Sequence, residues 1–175
     1  MTPKSILSME NIPEKWGIGI NKESTLKREW FVLRDELSPA VINGATGISV
    51  LIGVPTTPGG NQYQVPFEIR VKEPVTAVEI RVHILDVFGK VVSSLSATEV
   101  SDISDKKHFV ANWPVYWSRS EPMTVHASVV YVAQARTAAG RVYEVDRGAV
   151  LEQMRKISRK LIDEDLEPRR DTPSR

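Results

Sequence analysis

The chain has 175 residues, 23 Lys and Arg against 22 Asp and Glu, and no cysteine. That length suits one domain whose core needs no staples, and the lack of thiols excludes disulfides within the chain, thiolate catalysis and Cys-ligated zinc or iron–sulfur sites. A net charge of +1 gives no reason to expect the clustered positive field that phosphate binding needs, so nucleic acid is not an expected partner.

Met1 to Glu10 holds one Lys and no apolar run of leader length, and no stretch approaches about 18 successive apolar residues. The expectation is a chain with neither signal nor membrane span, placed in the cytoplasm, which also fits the missing cysteines. Residues 1–25 are polar and punctuated by Pro3, Pro13, Gly17 and Gly19; they read as an irregular arm docked by Trp16.

Residues 26–146 carry the pattern of short strands. Arg28 to Arg34 is an aromatic and β-branched run. Val41-Ile42 and Ile48 to Ile52 follow, with Asn43-Gly44 supplying a turn, and residues 55–60 (PTTPGG) read as a loop. Tyr63, Val65, Phe67, Ile69 and Val71 alternate with polar residues, as do Val78, Ile80, Val82 and Ile84, which is the period of a strand with one buried face. Pro66 lacks a ladder donor and points to an edge or a bulge. After the turn Asp86 to Gly89, Lys90 to Leu95 is extended, Glu99 to Lys107 reads as a polar loop, and His108 to Trp113 is a strand stopped by Pro114. Val125 to Arg136 alternates too, but Val130 and Val132 make part of its second face apolar, which predicts a central strand. Ala138-Ala139-Gly140 turns it into Arg141 to Val145.

The period then lengthens. Val150, Met154, Ile157 and Leu161 form a stripe at helical spacing, capped by Asp146. The reading is a C-terminal amphipathic helix over 147–167 and a disordered tail over 168–175. The stripe needs a cover, either the sandwich of the same chain or a second copy in a homodimer.

No chemistry-bearing motif emerges. The histidines His83, His108 and His126, with Ser94, Ser96, Ser128 and Asp86, lack the local signature of a nucleophile elbow, so no catalytic residue is assigned. His83 and His126 occupy polar strand positions and read as solvent-facing; no spacing suits a metal, and no cofactor is expected. Tyr116 and Trp117 sit in a Pro-flanked loop where exposed rings can stack on a sugar or a partner. The expected interaction surface is therefore Tyr116, Trp117 and the stripe Val150, Met154, Ile157 and Leu161, offered to an unknown protein partner or to self, with no membrane partner. Carbohydrate or another ligand at the Tyr116/Trp117 loop is the alternative, and an unrecognised hydrolase the third.

Asp86-Val87-Phe88-Gly89-Lys90-Val91-Val92, the later His108-Phe109-Val110-Ala111-Asn112-Trp113 and the long strand closed by Ala139-Gly140 carry a resemblance. Together they resemble the immunoglobulin-like, fibronectin type III-like modules of bacteria, such as the one in flagellar hook-capping proteins. There a D-x-x-G-x-x-V turn precedes a Trp strand and a final hairpin. The similarity covers the middle third to half of the chain. Pro114 to Pro122 replaces the family's glycine-rich turn, and the first 60 residues and the C-terminal helix have no counterpart. The resemblance implies an antiparallel immunoglobulin-like β-sandwich with an added helix, a structural or interaction role, and no catalytic residues.

Overall fold

The computed structural model describes residues 5, 7–12, 16–18, 28–43, 48–52, 61–115 and 124–168. In chain order the strands are β1 (Leu7–Asn11), β2 (Trp16–Ile18), β3 (Glu29–Asp35), β4 (Ala40–Ile42), β5 (Ile48–Ile52), β6 (Asn61–Val71), β7 (Val75–Asp86), β8 (Val91–Ile103), β9 (Lys106–Val115), β10 (Val125–Thr137) and β11 (Val142–Glu144). A helix, α1 (Arg147–Met154), and a 3₁₀ turn, Asp163–Leu166, complete it.

The strands form two sheets. Sheet A runs β1-β3-β10-β7-β8, with β11 also on β10. Sheet B runs β2-β5-β6-β4, with β9 along the other edge of β6. The two alternating segments face each other across the gap. Tyr63, Val65, Phe67 and Ile69 of β6 meet Val78, Ile80, Val82 and Ile84 of β7 in one core with Trp30, Val32 and Val130. All of these are at most 1% exposed, so the period-two reading is the physical basis of the sandwich.

Pro66 sits where it costs nothing. Residues 61–64 of β6 pair with β5 and residues 69–71 with β4, so Pro66 falls in the gap between these partners, where no ladder donor is required on that edge.

Several expectations change. The sandwich is mainly β but not purely antiparallel, because β3 lies parallel to β10 and β2 parallel to β5. β11 takes only Gln134 to Arg136 on its edge of β10, and β3 fills the remaining length at Ala127 to Val130. The arm contains two short strands rather than none; its polar sequence hides this because the pairing groups of β1 are supplied by β3. The stretch read as a loop from Glu99 to Lys107 is strand as far as Ile103, where β7 holds its backbone and Lys107 holds the Glu99 carboxylate at 2.8 Å, and strand again from Lys106 in β9, which pairs with β6 through Pro114 to Val115 rather than stopping at Trp113.

Sheet A is covered on its second face as well. Phe31, Leu33, Ala127, Val129, Tyr131 and Ala133 form a separate core with Val150, Leu151, Met154, Leu161 and Leu166. Asp146 caps α1, its carboxylate accepting from the Ala149 amide at 3.2 Å. The helix ends at Met154, well short of residue 167. Ser158 turns its hydroxyl to the carbonyl of Gly89 at 2.8 Å, and the chain runs on through Leu161 to the 3₁₀ turn. A short helix followed by an irregular strap lets successive apolar side chains follow a twisted sheet, which a straight helix leaves at one end.

Met154→Ala is expected to destabilise the chain by about 2–5 kcal/mol, as a buried large-to-small change does, measured by urea denaturation. On the outer face of sheet B, the Glu68 carboxylate is held below its ordinary range chiefly by the Asn43 side-chain amide, with Arg70 and His108 adding to this against a push from burial. A depressed carboxylate stabilises the fold above its unfolded value and loses that contribution as pH falls through the folded one. Glu68→Gln should therefore flatten the acid side of the stability–pH curve, leaving a smaller loss on acidification than the parent shows.

Candidate functional site

The turn joining β7 to β8 is built by its own sequence. One oxygen of Asp86 accepts from the backbone amides of Phe88 and Lys90 at 2.9 and 3.0 Å. Gly89 donates to the Asp86 carbonyl at 3.0 Å with φ +78°, a conformation that glycine adopts without strain. A side chain at Gly89 would bring its Cβ within 2.5 Å of the Ser158 hydroxyl oxygen. The same glycine thus shapes the turn and makes room for the C-terminal strap.

Beside this turn lies a cleft of about 480 Å³, floored by Phe31, Leu85 and Ala127 and bounded by Val87, Phe88 and Ile157. That volume is in the range of side-chain and small-ligand sites. Its polar wall is His126, with Nε2 3.6 Å from Glu29 Oε2; Asn11 donates to the other Glu29 oxygen at 3.2 Å. Among the described residues the buried Nδ1 of His126 has no hydrogen-bond partner. At the rim Phe88 is 70% exposed and Val87 41%. Phe88 is held from behind, its carbonyl accepting from Lys160 at 3.4 Å.

A second polar group lies under the strap. His83 is fully buried, which corrects its reading as a solvent-facing strand residue. The 3₁₀ turn and α1 cover the face of sheet A on which it stands. Its Nδ1 is 2.8 Å from Ser94 Oγ and its Nε2 is 2.9 Å from Tyr131 Oη. Ser94 gives its hydroxyl proton to the carbonyl of Asp165 at 2.9 Å. A carbonyl only accepts, so Ser94 must accept from His83 Nδ1–H, and Tyr131 must donate to Nε2. Burial pushes the Tyr131 hydroxyl above its ordinary range, which keeps that donor protonated. Ser94 and His83 are therefore in contact in the sense opposite to nucleophile activation, where serine donates to histidine. At the far end of the core the Tyr143 hydroxyl donates to Asp35 at 2.6 Å, and burial, with Asp35 beside it, raises that phenol too.

The structure thus separates the expected interaction residues. Val150, Met154 and Leu161 are at most 2% exposed and Ile157 is partly buried at the cleft, so the stripe is occupied within the chain. Tyr116 and Trp117 lie outside the described residues. His83 and His126 do not converge on a metal site, and among the described residues no group of three His, Asp or Glu does. No helix among the described residues is long and apolar enough to cross a membrane. The rim residue Phe88 was missed by sequence reasoning, although an apolar pair at the tip of a tight turn was its available signal.

Comparison with protein families, characterised proteins and solved structures returns no match.

Gly89→Ala should cost roughly 1–3 kcal/mol through backbone strain and should also loosen the strap. Differential scanning calorimetry reads the first effect. Faster amide exchange at Ser158 to Leu161 reads the second, and unchanged exchange there would mean that Ser158 does not anchor the strap.

Proposed function

We propose that this chain is a non-catalytic protein-interaction module of the immunoglobulin-like, fibronectin type III-like kind, and that it contacts its partner through the cleft and its Val87–Phe88 rim. The strand order supports the fold side of this reading. Read as immunoglobulin strands B, C, C′, E, F and G, β6 to β11 fall with β8-β7-β10-β11 in one sheet and β5-β6-β9 in the other. The D-x-x-G turn is then the C–C′ hairpin.

The observation that carries the functional side is Phe88. Burying an aromatic side chain is among the larger favourable contributions available to a fold, yet this ring stands 70% exposed on a turn fixed by Asp86, Gly89 and Lys160. An exposed aromatic on a rigid support, next to an apolar-floored recess, has the form of an interface anchor, because little freedom remains to be lost on binding. The direction of the Ser94–His83 contact supports a non-catalytic role, since that pair serves to hold the strap.

A photo-crosslinking residue at position 88 of the full-length chain, expressed in its native cells, tests this. A discrete adduct at position 88, absent when the probe is at exposed Thr98, is the expected result. Equal, diffuse labelling at both positions would overturn the assignment of this rim as the contact site.

A further inference from the structure

We propose that the partner at this cleft is a second copy of the chain, each copy setting its Phe88 into the other's cleft about a two-fold axis; this rests on the cleft and its rim being the contact site. A projecting ring and a recess stand side by side on one face. Phe88 is 70% exposed, so the ring does not fill the cleft beside it. That recess of about 480 Å³ has room for a phenyl ring over Phe31, Leu85 and Ala127. A surface that carries both a knob and a hole complements itself, because half a turn about an axis midway between them exchanges the two.

The charges follow the same reversal. The sheet order β3-β10-β7, with the turn after β7, puts Glu29 and the Val87–Phe88 rim on opposite sides of Ala127. On the Glu29 side, His126 is the extra residue of a bulge between Val125 and Ala127, which takes it out of the strand's alternation and sets it by Glu29. On the rim side, Lys160 bonds the Phe88 carbonyl. Lys156 also lines the cleft, its ammonium donating to Gln153 at 2.9 Å. Both lysines are exposed, and among the described residues neither meets a carboxylate. The other carboxylate at the cleft, Asp86, has one oxygen engaged by the amides of Phe88 and Lys90. The half turn that carries Phe88 over Ala127 of the other copy carries Lys160 to that copy's Glu29. Each contact is then made twice, with an attractive pair on either side of the two rings.

The turn that presents Phe88 is held by Asp86, Gly89 and Lys160, so seating the ring costs little ordering. Val87 and Ile157 bound the recess and flank the inserted ring, with the charged groups outside them, which is the arrangement of an apolar anchor inside a polar rim. The stripe Val150, Met154 and Leu161 has no part in this contact, because the chain's own sheet covers it. The second copy therefore attaches at the turn and strap end of sheet A, not along the helix.

Sedimentation analysis of the full purified chain over a concentration series tests this. The expected result is a reversible monomer–dimer equilibrium. Phe88→Asp, at an exposed position, should raise the dissociation constant by about tenfold or more with the melting temperature little changed. Lys160→Glu and Glu29→Lys should each weaken the dimer, and mixing the two variants should restore it, because each altered charge then meets its opposite across the axis. Should Glu29→Lys not fold, a photo-crosslinking residue at position 88 of the purified chain decides: an adduct joining two copies through β3 or β10 is expected, and its absence overturns the proposal. A chain that is monomeric throughout the series, a dimer untouched by Phe88→Asp, or a mixture no tighter than its components also overturns the second copy as partner. A monomer in solution with a discrete adduct to a different protein in native cells overturns that alone and leaves the cleft standing as a contact site, whereas diffuse labelling in those cells overturns both.

Discussion

Strand β10 is apolar on both faces, and much of the architecture follows from having to cover both. Val130, Val132 and Ala135 enter the core between the sheets, while Ala127, Val129, Tyr131 and Ala133 point the other way. A strand of this kind cannot sit at an edge or face water on either side without exposing a row of apolar side chains. β7 and the pair β3 and β11 therefore flank it, sheet B covers one face, and the C-terminal segment covers the other. The segment that looked like an appendage supplies a third layer.

That third layer explains a double use of the β7–β8 turn. Asp86 and Gly89 satisfy the local demands of a tight hairpin. Gly89 also leaves the space that Ser158 enters and the carbonyl that Ser158 uses. The turn is thereby the seat of the strap, which in turn bonds the backbone of the loop that presents Phe88. Fold and candidate contact surface are therefore mechanically linked: the cleft has the turn for one wall and the end of the strap for another.

The buried polar groups are placed to hold layers together. Tyr143 ties β11 to Asp35 at the end of β3; the Trp113 indole donates to the Ser96 carbonyl at 3.1 Å, joining the edge strand β9 of one sheet to β8 of the other; and His83, Ser94 and Tyr131 join sheet A to the 3₁₀ turn. Inside a protein such bonds cost most when one partner is lost, so each fixes how two elements meet.

The sequence by itself determined the strands with a strict period, Tyr63 to Val71 and Val78 to Ile84, the central character of Val125 to Arg136, the Asp86–Gly89 turn and the Asp146 cap. In each of these the signal is local: alternation, a turn residue or a cap is set by groups a few positions apart. Only the tertiary structure decided the rest. β1 became a strand because β3 offered it an edge, β8 ran on through polar residues because β7 paired with them, and the helix stopped at Met154 because the following residues had a sheet to follow. The histidine at 83 reads as polar and outward from its own strand; the segment that buries it lies about seventy residues away. Period-two alternation tells which side chains share a face, but what covers that face is fixed by elements distant in the chain, and so the cleft and the cover were not legible until the layers were in place.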